Sequence, residues 1–286
     1  MKKLINLFIF LVFICACGKP YKKEDDIRIE EWTKTGITRI TKDMTWKNDV
    51  QVRGIIQIEK GAKLTILPGI KVEFVHVDKN NDGYGETGLV VYGNIIAEGK
   101  PDKPVIFTSA SSAKNKNDWQ GIYIETSNDS LFKNCIIEYA NKALHLHFSP
   151  IVISNCELRF NQGAVHFRDS NVMFDHNYIH HNIIGLRIWN SDPIIVSNTI
   201  KDNQTGIFLA EGIKKIFVQN NNIYKNSEYN MGLGEPQKDD INAQNNYWGI
   251  NDFKDIEKKI YDKLDSEYLG RVIYSPYFLE LLDINK

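Results

Sequence analysis

Ile137, Leu158, Ile179 and Ile200 stand 21 residues apart, and the same step carries Asn161 to Asn182 to Asn203, Gly185 to Gly206, and Phe132 to Ile153 to Phe174 to Ile195. A period kept through four units without a gap marks each unit as one structural repeat, which buries its apolar face only by stacking on its neighbours. Within a unit, as in "NTIKDNQTGIFL", apolar and polar residues alternate over two to four positions between Asn, Asp, Ser or Gly, the pattern of short strands joined by tight turns. Such strands are too short to pair as hairpins, and no helical period intervenes. The economical solution is an all-β, single-stranded parallel β-helix with rungs of about 21 residues.

The repeat accounts for its own recurring residues. Stacked Asn161, Asn182, Asn203 and Asn226 are expected to bond the backbone of adjacent rungs in a ladder inside the coil. Ala143, Ala164, Gly185 and Gly206 are expected at a tight corner, where Gly tolerates positive φ. Cys135 and Cys156 share a second ladder with Asn177 and Asn198. Rungs about 4.8 Å apart bring the two Cα atoms within disulfide range while parallel Cβ vectors spoil the geometry, so a bond and two buried free thiols both stay open.

The register also predicts which side chains are neighbours outside. Leu144, Val165, Leu186 and Ile207 point inward, as do Leu146, Phe167, Ile188 and Leu209. Between them the outward columns are His145, His166, Arg187, Phe208 and His147, Arg168, Trp189, Ala210. As a ligand surface, Trp189 and Phe208 could stack on sugar rings while Arg168, Arg187 and the histidines meet carboxylates or sulfates of an acidic polysaccharide. As a metal site, His145, His147 and His166 could converge on zinc or copper, but no carboxylate stands in the same columns to orient them. Outward residues of a β-helix can also be idle, and the three readings stay open. Asp169 and Glu211 share a turn column with Asn190 between them, about 9.6 Å apart, at the edge of the separation that inverting glycosidases use; turn positions are commonly acidic for local reasons.

"VDKNNDGYGE", residues 77–86, sits between the strand ending Val72–Phe74 and the one beginning Leu89–Val91. Counted from Asp78, oxygen-bearing Asp78, Asn80, Asp82 and Glu86 fall at positions 1, 3, 5 and 9, with Gly83 at 6 and Tyr84 at 7. Position 12 is Leu89 rather than the bidentate Glu of an EF-hand. The two readings are a weak structural Ca2+ site made by Asp78, Asn80, Asp82, Tyr84 and Glu86, and a solvated turn. Catalytic calcium would need a carboxylate cluster on a strand face with an Arg or Lys beside it, which this loop does not supply.

Lys2 and Lys3 precede an apolar run, Leu4 to Ile14, long enough for a signal-peptide core and too short to span a bilayer. Ile14-Cys15-Ala16-Cys17 resembles the bacterial lipoprotein cleavage box, which implies a signal peptide over 1–17 and a lipidated Cys17; an ordinary secretory signal is the alternative. Residues 18–36 then form a polar tether. By the same resemblance, Gly18 after the cysteine favours the outer membrane or cell surface over the inner membrane. A net charge of -1 argues against a nucleic-acid partner, and a monomer is expected.

The flanks carry a second resemblance. "LTILPG" (64–69), "GNIIAEG" (93–99), "WQGIYI" and "NNYWG" (245–249) are similar to the entry and closing segments of bacterial extracytoplasmic right-handed β-helix proteins of the pectate-lyase-like superfold. The resemblance implies a right-handed coil over 37–250 and a cap over 251–286. In that cap Phe253, Ile256 and Ile260 at helical spacing predict a short helix over 251–263. It says little of activity, since the superfold hosts lyases, hydrolases, epimerases and adhesins. The paired-Asp and Gly-His-Gly patterns of polygalacturonases and the Asp-Pro-His-Asp pattern of alginate epimerases are absent. The reading is a lipid-anchored envelope protein that binds a glycan or envelope component; a polysaccharide lyase or hydrolase and a purely architectural protein are the alternatives.

Overall fold

A computed structural model describes residues 36–213, 215–249 and 251–284. The signal segment, Cys17 and all of the tether except Gly36 lie outside them. Three parallel sheets run the length of the coil. Sheet 1 has ten strands, from Ile37–Ile40 to Ile260–Tyr261, sheet 2 eight, from Met44–Trp46 to Phe217–Gln219, and sheet 3 eight, from Val50–Val52 to Asn222–Tyr224. One rung visits them in the order 2, 3, 1, as Leu131–Lys133, Cys135–Glu138 and Ala140–His147 do before Val152–Ser154 opens the next. Ile137 pairs with Leu158, Leu158 with Ile179 and Ile179 with Ile200, so the sequence period is the rung. Inward Leu144, Val165, Leu186 and Ile207 are fully buried, as the alternation requires.

Each regular rung turns three corners, and from Phe160 to Asp202 every corner uses one non-glycine residue of positive φ followed by a buried Asn or Ser. Asn134, Asn155, His176 and Asn220 hold this conformation between sheets 2 and 3, Tyr139, Phe160, His181 and Asp202 between sheets 3 and 1, and Phe148, Asp169, Asn190 and Glu211 between sheets 1 and 2. The polar residues form three ladders. The Asn161 amide donates to Asn182 Oδ1 at 2.9 Å, that of Asn177 to Asn198 Oδ1 at 2.9 Å, and that of Ser149 to Ser170 Oγ at 3.0 Å. The Asn ladders match expectation. The serine ladder was visible as the 21-residue step from Ser149 to Ser170 to Ser191 but was not recognised.

The corner expected of Ala143, Ala164, Gly185 and Gly206 is corrected: all four lie inside strands of sheet 1, and neither glycine has positive φ. They are small because rungs approach closely there. A Cβ on Gly185 would meet the Gly206 carbonyl oxygen at 2.4 Å, and one on Gly206 the Asn230 oxygen at 2.6 Å. Cys135 and Cys156 are free buried thiols heading the second Asn ladder, where the Cys156 amide donates to Asn177 Oδ1 at 2.9 Å. Burial pushes the Cys135 thiol well above its usual range.

The helix is also shorter than expected. It spans Phe253–Glu257, with Asp252 capping its first amides. Ile256 is buried, Phe253 is 54% exposed, and Ile260 belongs to a strand that pairs with Met231. The spacing of three apolar residues mimicked a helical stripe, but the coil end is closed on sheet 1 by one more parallel strand. No helix of the described residues is long and apolar enough to cross a membrane.

Asn182 accepts from the Asn161 amide and side chain and donates to the Leu158 and His180 carbonyls and to Asn203. Asn182→Ala leaves several of these groups buried and unsatisfied, at about 1–3 kcal/mol each. Chemical denaturation is expected to show a loss of more than about 3 kcal/mol; exposed Asn155→Ala should cost far less.

Candidate functional site

The three outer faces differ in chemistry. Sheet 2 presents an apolar run in which Val152, Met173, Ile194 and Phe217 are 36–45% exposed, with no polar side chain among these four to orient a ligand. Sheet 3 presents a closed ion-pair network. Arg159 donates to Glu138 Oε2 and to Glu157 Oε1, each at 2.8 Å, and His180 Nε2 lies 2.9 Å from Glu157 Oε1. That hydrogen bond from His180 leads the effects holding the Glu157 carboxyl below its usual range. Sheet 1 brings three imidazoles, two guanidinium groups and an aromatic pair together beside a cleft.

The register places all seven expected residues on sheet 1. His145 pairs with His166, His166 with Arg187 and Arg187 with Phe208, while His147, Arg168 and Trp189 form the adjacent column. The histidines, however, are not presented to solvent: His145, His147 and His166 are 7, 8 and 5% exposed. They pack into a chain that sequence reasoning missed. Glu125 Oε2 lies 3.1 Å from Tyr123 Oη, Tyr123 Oη 3.1 Å from His147 Nδ1, and His147 Nε2 2.9 Å from His145 Nε2. Tyr123 escaped the 21-residue count because the register shifts between Gly121 and Ile122. The His166 ring lies over Gly163, whose absent Cβ would sit 2.4 Å from Nε2, and neither ring nitrogen has a hydrogen-bond partner among the described residues. Burial first, then the Lys142 ammonium, holds the imidazoles of His145 and His166 well below the usual histidine range, so both are neutral at pH 7. Among the described residues no three His, Cys, Asp or Glu side chains are grouped to hold a metal ion.

Beyond the histidines the face opens. The Arg187 guanidinium lies 4.0 Å from the Trp189 ring centre and 5.7 Å from that of Phe208, a cation held between two π faces. Arg168 Nε is 3.8 Å from Asp169. Asn190 donates to Asp169, so this acid is tied into local contacts at its corner, and Glu211 holds the equivalent corner two rungs from it. Past Phe208 lies a cleft of about 180 Å³, floored by Gly232 and Gly234 and walled by Phe208, Tyr229 and Tyr261, with Glu235 and Ser266 also lining it. Tyr229 and Tyr261 were missed because the rungs after residue 210 lengthen: Thr205 pairs with Tyr229, 24 residues on.

The 77–86 loop is ordered by its own side chains. Asp78 Oδ1 and Asn80 Oδ1 accept from the Asp82 amide, Asp78 Oδ2 from that of Gly83, and Asp82 Oδ1 from that of Tyr84. Gly85 anchors it against the coil, donating to the Asn117 oxygen at 2.7 Å. The Glu86 amide closes the loop's two ends on each other, donating to the Val77 carbonyl at 2.7 Å.

Two family models match the chain: the right handed beta helix region over residues 107–247 and the pectate-lyase like beta helix domain over 38–130. With the three parallel sheets, they establish a right-handed parallel β-helix. No curated protein and no solved structure matches.

The buried histidines make stability depend on pH. Their folded affinity for protons is depressed, so the unfolded chain takes up protons near pH 6.5 while the folded protein refuses them. Stability is therefore complete above that pH and falls as the pH drops below it, by up to about 1.4 kcal/mol per pH unit for each histidine. Denaturation midpoints between pH 7 and 5 are expected to fall accordingly, with a shallower slope in His166→Leu.

Proposed function

We propose that this protein is a lipid-anchored, extracytoplasmic β-helix that holds an acidic glycan or a related envelope component along sheet 1. One observation carries the reading: Arg187 is clamped between Trp189 and Phe208 on an open face that continues into an aromatic cleft. Aromatic faces stack on sugar C–H surfaces, and a guanidinium pairs with a carboxylate or sulfate in a fixed fork. Stacking on Trp189 pre-orients that fork, so less side-chain freedom is lost on binding. The pectate-lyase-like match supports a carbohydrate ligand, and the anchor at Cys17 rests on the sequence alone. His145 and His166, buried and neutral at pH 7, stand on earlier rungs of the column that carries Arg187 and do not contact the ligand.

A structural Ca2+ at Asp78, Asn80 and Asp82, with Tyr84 and Glu86 beside them, belongs to the same reading. The Asp78 and Asn80 oxygens meet at one amide, that of Asp82, and Asp82 Oδ1 faces the next, that of Tyr84; calcium would have to displace these amides and draw the oxygens together.

The test is a glycan array probed with the full-length chain, with calcium and with chelator, and with product analysis on every hit. Saturable binding to acidic glycans without new reducing ends or unsaturated uronates is expected, lost in Arg187→Ala and weakened at least about tenfold in Trp189→Ala. Turnover would identify a lyase or hydrolase instead, and no binding to any glycan would leave an architectural role. Calcium is expected to raise the melting temperature of the wild type and not of Asp78→Asn.

A further inference from the structure

The glycan reading uses sheet 1 and gives sheet 2 no task. On sheet 2, Ile96, Leu131, Val152, Met173, Ile194 and Phe217 pair one above the next, six rungs in line. Phe132, Ile153, Phe174, Ile195 and Val218, the next residue in each of five of these strands, are fully buried, so the six side chains point the other way, out of the coil. The stripe ends at polar Thr65 on one side and at the last strand of the sheet on the other. Apolar residues scattered singly on a surface need no explanation, but a contiguous run of them marks a contact surface.

The edges of the stripe say what covers it. Two residues before the stripe positions stand Asp129, Asn171, Asp192 and Lys215, and two residues after them stand Glu98, Lys133, Asp175 and Gln219. Acids outnumber bases there, the opposite of the Lys- and Arg-rich rim that seats an apolar face among anionic headgroups. A second copy of the chain matches the stripe rung for rung, since its side chains repeat at the same ~4.8 Å. Sheets pack face to face at ~10 Å, a gap that opposed aliphatic side chains fill.

Charge chooses between the two possible two-fold arrangements. With the axis along the coil, each rung meets its own copy with the strands reversed, so Asp129 faces the partner's Lys133 and Lys215 the partner's Gln219. With the axis across the coil and centred between Val152 and Met173, Leu131 meets the partner's Ile194, and Asp129 then meets the partner's Asp192, two like charges. The first arrangement also leaves sheet 1 of both copies open and sets both N-terminal ends on one side, as two anchors in one membrane require.

We infer that sheet 2 joins two copies of the chain side by side, coils parallel, in place of the monomer expected from the sequence. Rungs ~4.8 Å apart and strands of three residues at ~3.3 Å give a face of about 24 by 10 Å. Each copy thus covers a few hundred Å², below the ~800 Å² per partner of a standard interface, so the pair is weak and reversible.

Sedimentation equilibrium of the full-length chain is expected to show monomer and dimer in exchange, with a dissociation constant between ~10 μM and ~1 mM. Ile194→Lys and Met173→Glu should each abolish the dimer and leave the melting temperature of the dilute protein unchanged, since both positions are exposed. Lys133→Asp, which sets acid against Asp129, should weaken the dimer at least about threefold, and adding Asp129→Lys should restore it. This charge exchange serves if the stripe variants do not fold. A chain that stays monomeric up to ~1 mM, or a dimer indifferent to Ile194→Lys, overturns the inference. A dimer lost in Ile194→Lys but unmoved by Lys133→Asp overturns the parallel pairing. A monomer whose binding to phosphatidylcholine–phosphatidylglycerol vesicles falls in Ile194→Lys makes the stripe a membrane face and overturns the inference as well.

Discussion

Everything in this fold depends on turning a strand through a tight corner without leaving buried backbone groups unpaired. In the regular rungs from Phe160 to Asp202 the corners solve the two problems together. One residue takes a left-handed conformation that costs a non-glycine residue roughly 1–2 kcal/mol, and the next turns its side chain inward to bond the backbone of the adjacent rung. Asn and Ser suit this second position because a short side chain can reach an amide one rung away. An Asn also donates from Nδ2, so Asn182 bonds two carbonyls and the next Asn at once. Through the regular rungs the strain recurs and so does the ladder that offsets it, so stability accumulates rung by rung.

This explains why bulky residues such as Phe160 and His181 can hold positive φ. The conformation is set by the ladder residue that follows and by the sheets on either side, not by local preference. Sequence reasoning looked for glycine where φ is positive and so placed the corner at Gly185 and Gly206, which are small for a different reason: two backbones approach there. A local rule about glycine failed where the constraint was long-range.

The inside of the coil was legible because stacking at a fixed step makes the same demand at the same position every 21 residues. Inward apolar columns, both Asn ladders and the outward neighbours of sheet 1 all follow from that step. The sheet 1 side chains that escaped lie where the step fails: Tyr123, beyond the shift at Gly121, and Tyr229 and Tyr261, beyond the longer rungs that follow Ala210. Exposure was illegible for another reason. Alternation tells which way a Cβ points, not whether neighbouring side chains cover it, and His145, His147 and His166 point outward yet bury one another. The short helix was misjudged similarly, since Phe253, Ile256 and Ile260 satisfy a helical spacing that a turn followed by a strand satisfies equally well.

The regularity that makes the interior predictable also limits what the exterior can recognise. Side chains in one outward column are held about 4.8 Å apart by the backbone ladder, and packed rungs do not adjust to a ligand of different pitch. A flexible surface can fit many polymers by rearranging, whereas a polymer lying along this one would have to match a whole number of rungs with its own repeat. Selectivity then comes from the order of side chains along the column. Arg187, pre-oriented on Trp189, and the empty position at Gly232 are fixed points on one ruler. A ligand that satisfies the first and not the second forfeits the aromatic contact, and it cannot recover that contact by sliding, because sliding moves both points together.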